Sequence, residues 1–304
     1  MDARPEHVRE FLRALQARIC DALERVDGQA RFVEDAEDTP HGGLSAPRVL
    51  SGGRHIERAG VNFTHSIGLQ LPAAASARRP ELAGRGFQAV SLSLIVHPTN
   101  PFAPTTHANF RCFVATKEGE APVWWVGGGY DLTPIYGFDE DAAHFHRTAR
   151  AAVTPFGAHL YAEMKQACDE YFYLPHRREP RGVGGIFFDD LKLADWSTTF
   201  AFLQAVGDSF IPAYVPILER RCDHEFTEEQ RAFQLMRRGR YVEFNLIYDR
   251  GTQYGIQSGR RIEAVMCSMP PQVAWSYGYP IEAGSREEEL YLRYLVPRDW
   301  ADLP

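Results

Sequence analysis

The sequence has no excess of positive charge: 33 Lys and Arg stand against 40 Asp and Glu, for a formal charge of -7. That argues against a broad nucleic-acid surface, which must displace phosphate counterions with many lysines and arginines. An anionic ligand would have to be held by arginines placed locally. No apolar run approaches the roughly 18 residues of a membrane span, and the opening MDARPEHVREFLRALQ has no apolar signal core. The expectations are no membrane span and a cytoplasmic location. Cysteine is scarce and scattered, with five residues at 20, 112, 168, 222 and 267, no CxxC, and no zinc or iron–sulfur spacing. Free, mostly buried thiols follow. Neither GxGxxG nor GxxxxGK[ST] occurs, so no nucleotide or other organic cofactor is expected. Low-complexity linkers and repeats of 20 to 50 residues are also missing, which leaves one domain over residues 1–304.

What is present is ordinary globular material, 44% hydrophobic and 24% charged, in a chain long enough to bury a sizeable core. Val8, Phe11, Leu12, Leu15, Ile19 and Leu23 recur at helical spacing, so residues 7–25 predict an amphipathic helix. Residues 28–86 read as loops and short strands around GVNFTHSIG at 60–68. Strands follow at 90–97, 107–116 and 122–130, an antiparallel meander. Helical periods cover 138–174, a short apolar strand 182–191, helices 197–221 and 227–239, and an alternating strand 240–251. This order favours α+β with a large antiparallel sheet over a doubly wound parallel one.

The stretch SLSLIVHPTNPFAPTTHANFRCF at 91–113 carries the first chemical signal. Alternate residues of a strand share a face. His107, Asn109 and Arg111 therefore line up on one side, while Ala108, Phe110, Cys112 and Val114 face the other. In the preceding strand, Ser93, Ile95 and His97 oppose Leu92, Leu94 and Val96. Prolines at 98, 101 and 104 restrict the connection. A solvated polar face is the plain alternative to a site. The next signal is VWWVGGGYD, where three glycines permit close main-chain approach of a ligand and Asp131 follows. A glycine-rich turn is its plain alternative.

Histidine spacing is less telling. His144 and His146 lie two apart, which on a helix puts them on different faces, and His176 falls among arginines in a loop-like segment. His55-Ile56-Glu57 has the HxE form of an iron site, but about one such match is expected by chance. Tyr241, Glu243, Asn245, Ile247 and Asp249 form the polar side of the strand read at 240–251. Arg111, Arg181 and Arg261 are the side chains a ligand with several carboxylates would want, since guanidinium grips carboxylate bidentately.

The long segments together resemble the oxygen-dependent coproporphyrinogen III oxidase family. The resemblance rests on GVNF at 60–63, SLSLIVHPTNPFAPTTHANFR at 91–111, WWVGGGYDLTPIYGF at 124–138, EDAAHFHRTAR at 140–150 and CDEYFYLPHR at 168–177. RGVGGIFFDDL at 181–191, QAVGD at 204–208, FQLMRRGRYVEFNLIYDRGTQYGIQSG at 233–259 and VMCSMPP at 265–271 extend it over nearly the whole chain. It implies a large antiparallel sheet flanked by helices on both faces, in a homodimer with contacts at about residues 240–275. The implied reaction is oxidative decarboxylation of two propionates of a tetrapyrrole, coproporphyrinogen III, to vinyl groups, with O2 as acceptor. Carried over residue by residue, Ser93, Asn109, Phe110 and Arg111 resemble substrate contacts, and His107 the proton donor. Asp131 resembles the carboxylate that engages pyrrole nitrogens, and Arg181 a functionally important arginine. Gly259, Arg260 and Arg261 resemble a further substrate segment, although Arg260 stands where small residues are common. His97, His107, His146 and His176 resemble ligands of a divalent metal. The rival readings are a histidine-rich metal-dependent oxygenase and a non-catalytic tetrapyrrole carrier.

Overall fold

A computed structural model describes residues 3–70, 79–257 and 260–303. In chain order the strands are β1 (Val33–Glu34), β2 (Glu37–Thr39), β3 (Gly43–Ser51), β4 (Ile56–Gly68), β5 (Gly86–Pro98), β6 (Thr105–Thr116), β7 (Val123–Thr133), β8 (Tyr173–Leu174), β9 (Glu179–Pro180) and β10 (Gly184–Leu191). The longer helices are α1 (Pro5–Asp27), α2 (Asp139–Val153), α3 (Leu160–Tyr171), α4 (Trp196–Arg221), α5 (Glu228–Ile247), α6 (Arg250–Gln257) and α7 (Ile262–Met266). One antiparallel sheet runs β1-β3-β4-β5-β6-β7-β10, with β2 also on β3, and β8 and β9 form a separate ribbon. The α+β expectation and the meander through β5, β6 and β7 are both seen.

Alternation decides how the sheet is dressed. Val61 and Phe63 of β4, Leu92, Leu94 and Val96 of β5, Ala108 and Phe110 of β6, and Tyr130 and Leu132 of β7 are all buried in the main core. Over that face lie α1 and α4. Proline in the first turn opens α1, and Gly28 closes it in the left-handed conformation (φ 72°) while its N–H donates to the Glu24 carbonyl at 3.0 Å. Asp195 caps α4, accepting from the Thr198 N–H at 2.8 Å. By length and composition α4 could cross a bilayer, a candidate the sequence reading did not find. Here Phe202, Val206, Phe210 and Ile217 instead sit in the core with no exposed surface.

The opposite face is covered only in part. Tyr241 of α5 meets the His97 ring edge-on at 5.1 Å, and Asn62 of β4 donates to the Ala264 carbonyl of α7 at 2.8 Å. Helices therefore flank both faces.

Two sequence expectations are corrected. Residues 43–68 hold strands of 9 and 13 residues rather than loops and short strands. Most of 240–251 is helical: α5 starts at a capping box of Thr227 and Gln230 and continues to Ile247, and α6 begins at Arg250. Tyr241, Phe244 and Tyr248 also fit a helical repeat, and packing of Tyr241 and Phe244 on Arg181 selects it over the alternation.

Candidate active site

The half-covered face presents polar rows that run straight across the strands. One row is Asn62, Ser93, Asn109 and Gly129; the next is Thr64, Ser91, Arg111 and Gly127. The three glycines lie within β7 and form no turn. A Cβ on Gly127 would fall 2.7 Å from Arg111 Nε, so glycine here lets that guanidinium lie flat on the sheet. Gly129 (φ 137°) has the Ile186 carbonyl 2.0 Å from where a Cβ would be, which closes β7 tightly onto β10.

At one end of this face stands a charged trio. His107 and Asp131 are register partners on β6 and β7, with His107 Nδ1 3.1 Å from Asp131 Oδ1. Arg181 donates from Nη2 to Asp131 Oδ1 at 2.7 Å and from Nε to Oδ2 at 3.1 Å. Its guanidinium carbon lies 4.0, 4.9 and 4.7 Å from the ring centres of Phe172, Tyr241 and Phe244. Burial pushes the Asp131 carboxyl up, but Arg181 and His107 outweigh it and hold the group below the ordinary carboxylate range. The side chains of Arg181 and Asp131 are 1% and 2% exposed, against 22% for His107. Solvent reaches this trio through His107.

Arg111 lies farther along the same face. It donates to Asn109 Oδ1 at 3.0 Å and pairs with Asp189. A bulge in β10 between Phe188 and Leu191 turns Asp189 toward it. Arg250, at the start of α6, reaches the other Asp189 oxygen at 3.0 Å and lies over the Tyr171 ring at 4.8 Å. Tyr171 donates to Asp249 Oδ1 at 3.0 Å. The Asp249 carboxyl is pushed up by burial but lowered, on balance, by the nearby His107 and by the Thr252 N–H. Past Arg111 the face turns aromatic, with Trp125 stacked on Phe113 at 4.4 Å and Phe113 on Phe87 at 5.9 Å.

Sequence reasoning assigned no role to Asp189, Asp249 or Arg250. The paired acids of FFDDL were the one visible signal, and only the bulge gives Asp189 its direction. Other expected residues are placed as follows. Phe110 takes the opposite face and is wholly buried in the core. Arg181 points inward to Asp131. Arg260 stays at the polar face, bonding Ser66, which follows Asn62 and Thr64 on that side of β4, at 3.3 Å; Arg261 pairs with Asp35 at 2.8 Å, and Gly259 lies outside the described residues.

The four histidines are held apart by their own partners. His97 Nε2 faces the Ser268 carbonyl at 2.9 Å, and His146 Nε2 faces the Val183 carbonyl at 3.0 Å with Nδ1 2.9 Å from the Tyr161 hydroxyl. A ring nitrogen opposite a carbonyl carries the hydrogen and has no lone pair for a metal. Burial pushes His97 down to about 3 and His146 to about 4. His176 is bound on both nitrogens, to Tyr248 at 2.9 Å and Glu243 at 2.7 Å. Among the described residues no three of these four share a metal-sized cluster. The set does not fit one cation within a single chain. As a helix requires, His146 is buried while His144 turns away to the Pro212 carbonyl at 2.8 Å.

Comparison with known families supplies the chemical class. Residues 7–300 match the family model described as Coproporphyrinogen III oxidase.

Proposed function

Since the chain belongs to the coproporphyrinogen III oxidase family, we propose that it is the oxygen-dependent form of the enzyme, converting two propionates of its tetrapyrrole to vinyl groups. For each propionate, the Cβ–H bond and the bond to the carboxyl carbon break and a C=C bond forms. Oxygen takes up two electrons and two protons to become hydrogen peroxide, and carbon dioxide leaves. The observation that carries this reading is the glycine-floored polar face, with a solvent-facing His107 backed by Asp131 and Arg181. An oxygen-independent radical route would need clustered cysteines for an iron–sulfur centre, whereas Cys20, Cys112, Cys168, Cys222 and Cys267 are all free, each in or just after a different element.

A porphyrinogen is electron-rich enough to reduce oxygen itself, so the protein has to orient it and place charge. Pinned at Nδ1 by Asp131, His107 directs Nε2 to the substrate, where it takes the pyrrole N–H proton and later returns it. Asp131 stabilises the imidazolium that forms, and Arg181 keeps Asp131 ionised, which makes Arg181 a positioning residue. Arg111 and Arg250 hold propionates, exchanging Asp189 for substrate carboxylate. Ser93 and Asn109 bond the macrocycle, and the rings at Phe87, Phe113 and Trp125 give it an apolar shelf. Holding the reacting carbon in place is worth several kcal/mol, roughly.

The test is oxygen uptake and carbon dioxide release with reduced coproporphyrinogen III, run with and without chelator. Equal protoporphyrin in both arms is the expected result. Loss on chelation with recovery on adding one metal would overturn the metal-free route, and tight binding without oxygen uptake would make the protein a carrier.

We further propose a homodimer through about residues 240–275. In its support, Leu246, Ile247, Tyr254, Ile256, Ile262 and Trp275 are all exposed large apolar side chains in one stretch of chain. Sedimentation at micromolar protein should show a dimer, and Ile256→Glu should dissociate it. A monomeric wild-type protein would sink the proposal.

A further inference from the structure

His55 and the adjacent pair Cys222 and Asp223, far from it in sequence and away from the polar face, converge where the β3–β4 turn meets the end of α4. The donor atoms of His55, Cys222 and Asp223 all lie within 4.8 Å of one another. His55 Nε2 is 3.8 Å from Asp223 Oδ1. We propose that these three side chains bind a borderline-soft divalent cation, of which Zn2+ is the type, with a fourth position left to water.

The donor set is the first argument. Thiolate, imidazole and carboxylate are the three zinc donors, and three protein ligands plus one open position is a common zinc arrangement. A harder cation such as Mg2+ would avoid the sulfur. Cys222 is also the one cysteine of the chain that is not fully buried, so an ion can reach it.

Preorganisation is the second. His55 is 8% exposed, and its loop is fixed by Asp27, which accepts from the N–H groups of Arg54, His55 and Ile56 at 3.3, 3.0 and 2.9 Å. Cys222 sits directly after α4, its N–H bonded to the Leu218 carbonyl at 2.9 Å. One short segment ties the two halves together: the Thr99 N–H donates to the His55 carbonyl at 2.9 Å, and Asn100 Nδ2 donates to the Cys222 carbonyl at 3.2 Å. The backbones that carry His55 and Cys222 are therefore held before any ion arrives, while the Asp223 side chain, 69% exposed, is left to close on it.

Electrostatics point the same way with one opponent. The C-terminal end of the 26-residue α4 carries the negative end of its dipole, which favours a cation. Arg54 opposes it, pairing with Asp223 at 3.4 Å through two exposed side chains. Such a pair is weak, and an arriving ion would displace the guanidinium. Glu57, the third residue of the HxE triplet, is turned away to Arg231 at 2.9 Å and Arg238 at 2.7 Å. His224 is likewise turned away, its ring packed against Phe102 and Phe138 at 5.5 and 5.9 Å. Metal entry replaces the Cys222 S–H bond to hydrogen with a metal–sulfur bond and releases that proton to solvent. Metal content of the purified protein therefore does not by itself assign His97, His107, His146 and His176 as ligands.

The test is anaerobic titration of the metal-stripped full chain with Co2+. One equivalent should give the thiolate-to-cobalt charge-transfer band and the visible bands of a near-tetrahedral ion, and Zn2+ should bleach both. Cys222→Ser should remove the charge-transfer band, and His55→Asn should weaken binding by about tenfold or more. Arg54→Ala removes the opposing charge and should tighten binding about threefold, a gain that misfolding would not produce. A wild-type protein with no thiolate band would overturn the proposal. So would a band that survives Cys222→Ser, or unchanged affinity in Arg54→Ala.

Discussion

Replacing Asp131 with asparagine should cost turnover on the order of a thousandfold, within the range assigned to a positioned acid–base group, and should also weaken the fold. Asparagine keeps the shape but cannot stabilise imidazolium, and it leaves the Arg181 guanidinium, wholly buried among three aromatic rings, without a counter-charge. Breaking a buried pair from one side costs about 3–5 kcal/mol. The two effects separate in a double variant. Adding Arg181→Met to Asp131→Asn removes the stranded charge, so the denaturation midpoint should recover much of its loss while kcat/KM stays low. Near-normal turnover in Asp131→Asn would make the carboxylate purely structural, and recovery of activity in the double variant would make its effect one of folding alone.

Acid should destabilise the protein at a pH where most carboxylates are still ionised. His97 and His146 are held near 3 and 4 by burial, against an unfolded value of about 6.5. Below that value the unfolded chain takes up protons that these folded histidines refuse. Their contribution is thus complete above about 6.5 and is lost as pH falls toward their folded values, at about 1.4 kcal/mol per pH unit for each. Two units of acid remove roughly 5 kcal/mol from the pair, comparable with a typical domain's whole stability. The depressed carboxyls of Asp131 and Glu243 act lower, since their share is present above the unfolded carboxylate value and disappears as pH falls through their folded ones. Urea midpoints at pH 7.5, 6.0 and 5.0 would show the slope, and His97→Gln or His146→Gln should each remove about half of it. A flat profile between pH 7 and 5 would refute this account.

Several features could be read directly from the chain because they are local. The alternation that puts His107, Asn109 and Arg111 on one face follows from the two-residue period of a strand, and the sheet keeps it. Strands in succession joined by short or proline-stiffened links pair as a meander, which is what β5, β6 and β7 do. Long motifs spanning most of the chain pointed to the family, and the match over residues 7–300 agrees. Local pattern failed where two periods fit the same letters. Tyr241, Glu243 and Asn245 alternate as a strand would, yet Tyr241 and Phe244 pack on Arg181 only as a helix.

The remaining decisions belong to contacts between distant residues. Arg181 looked like a carboxylate-gripping arginine, but 50 residues separate it from Asp131, and their pairing turns it inward. The family resemblance implied one ligand set of four histidines, yet each ring found a partner distant in sequence. Asp189 depends on a bulge, and His55 with Cys222 depends on a turn meeting a helix end. Residue type and short-range period therefore determined which faces are apolar, where most elements run and what chemistry the chain carries. Tertiary packing alone decided which charges meet, because a buried ion pair or a ligand cluster forms between side chains whose separation in sequence places no limit on their separation in space.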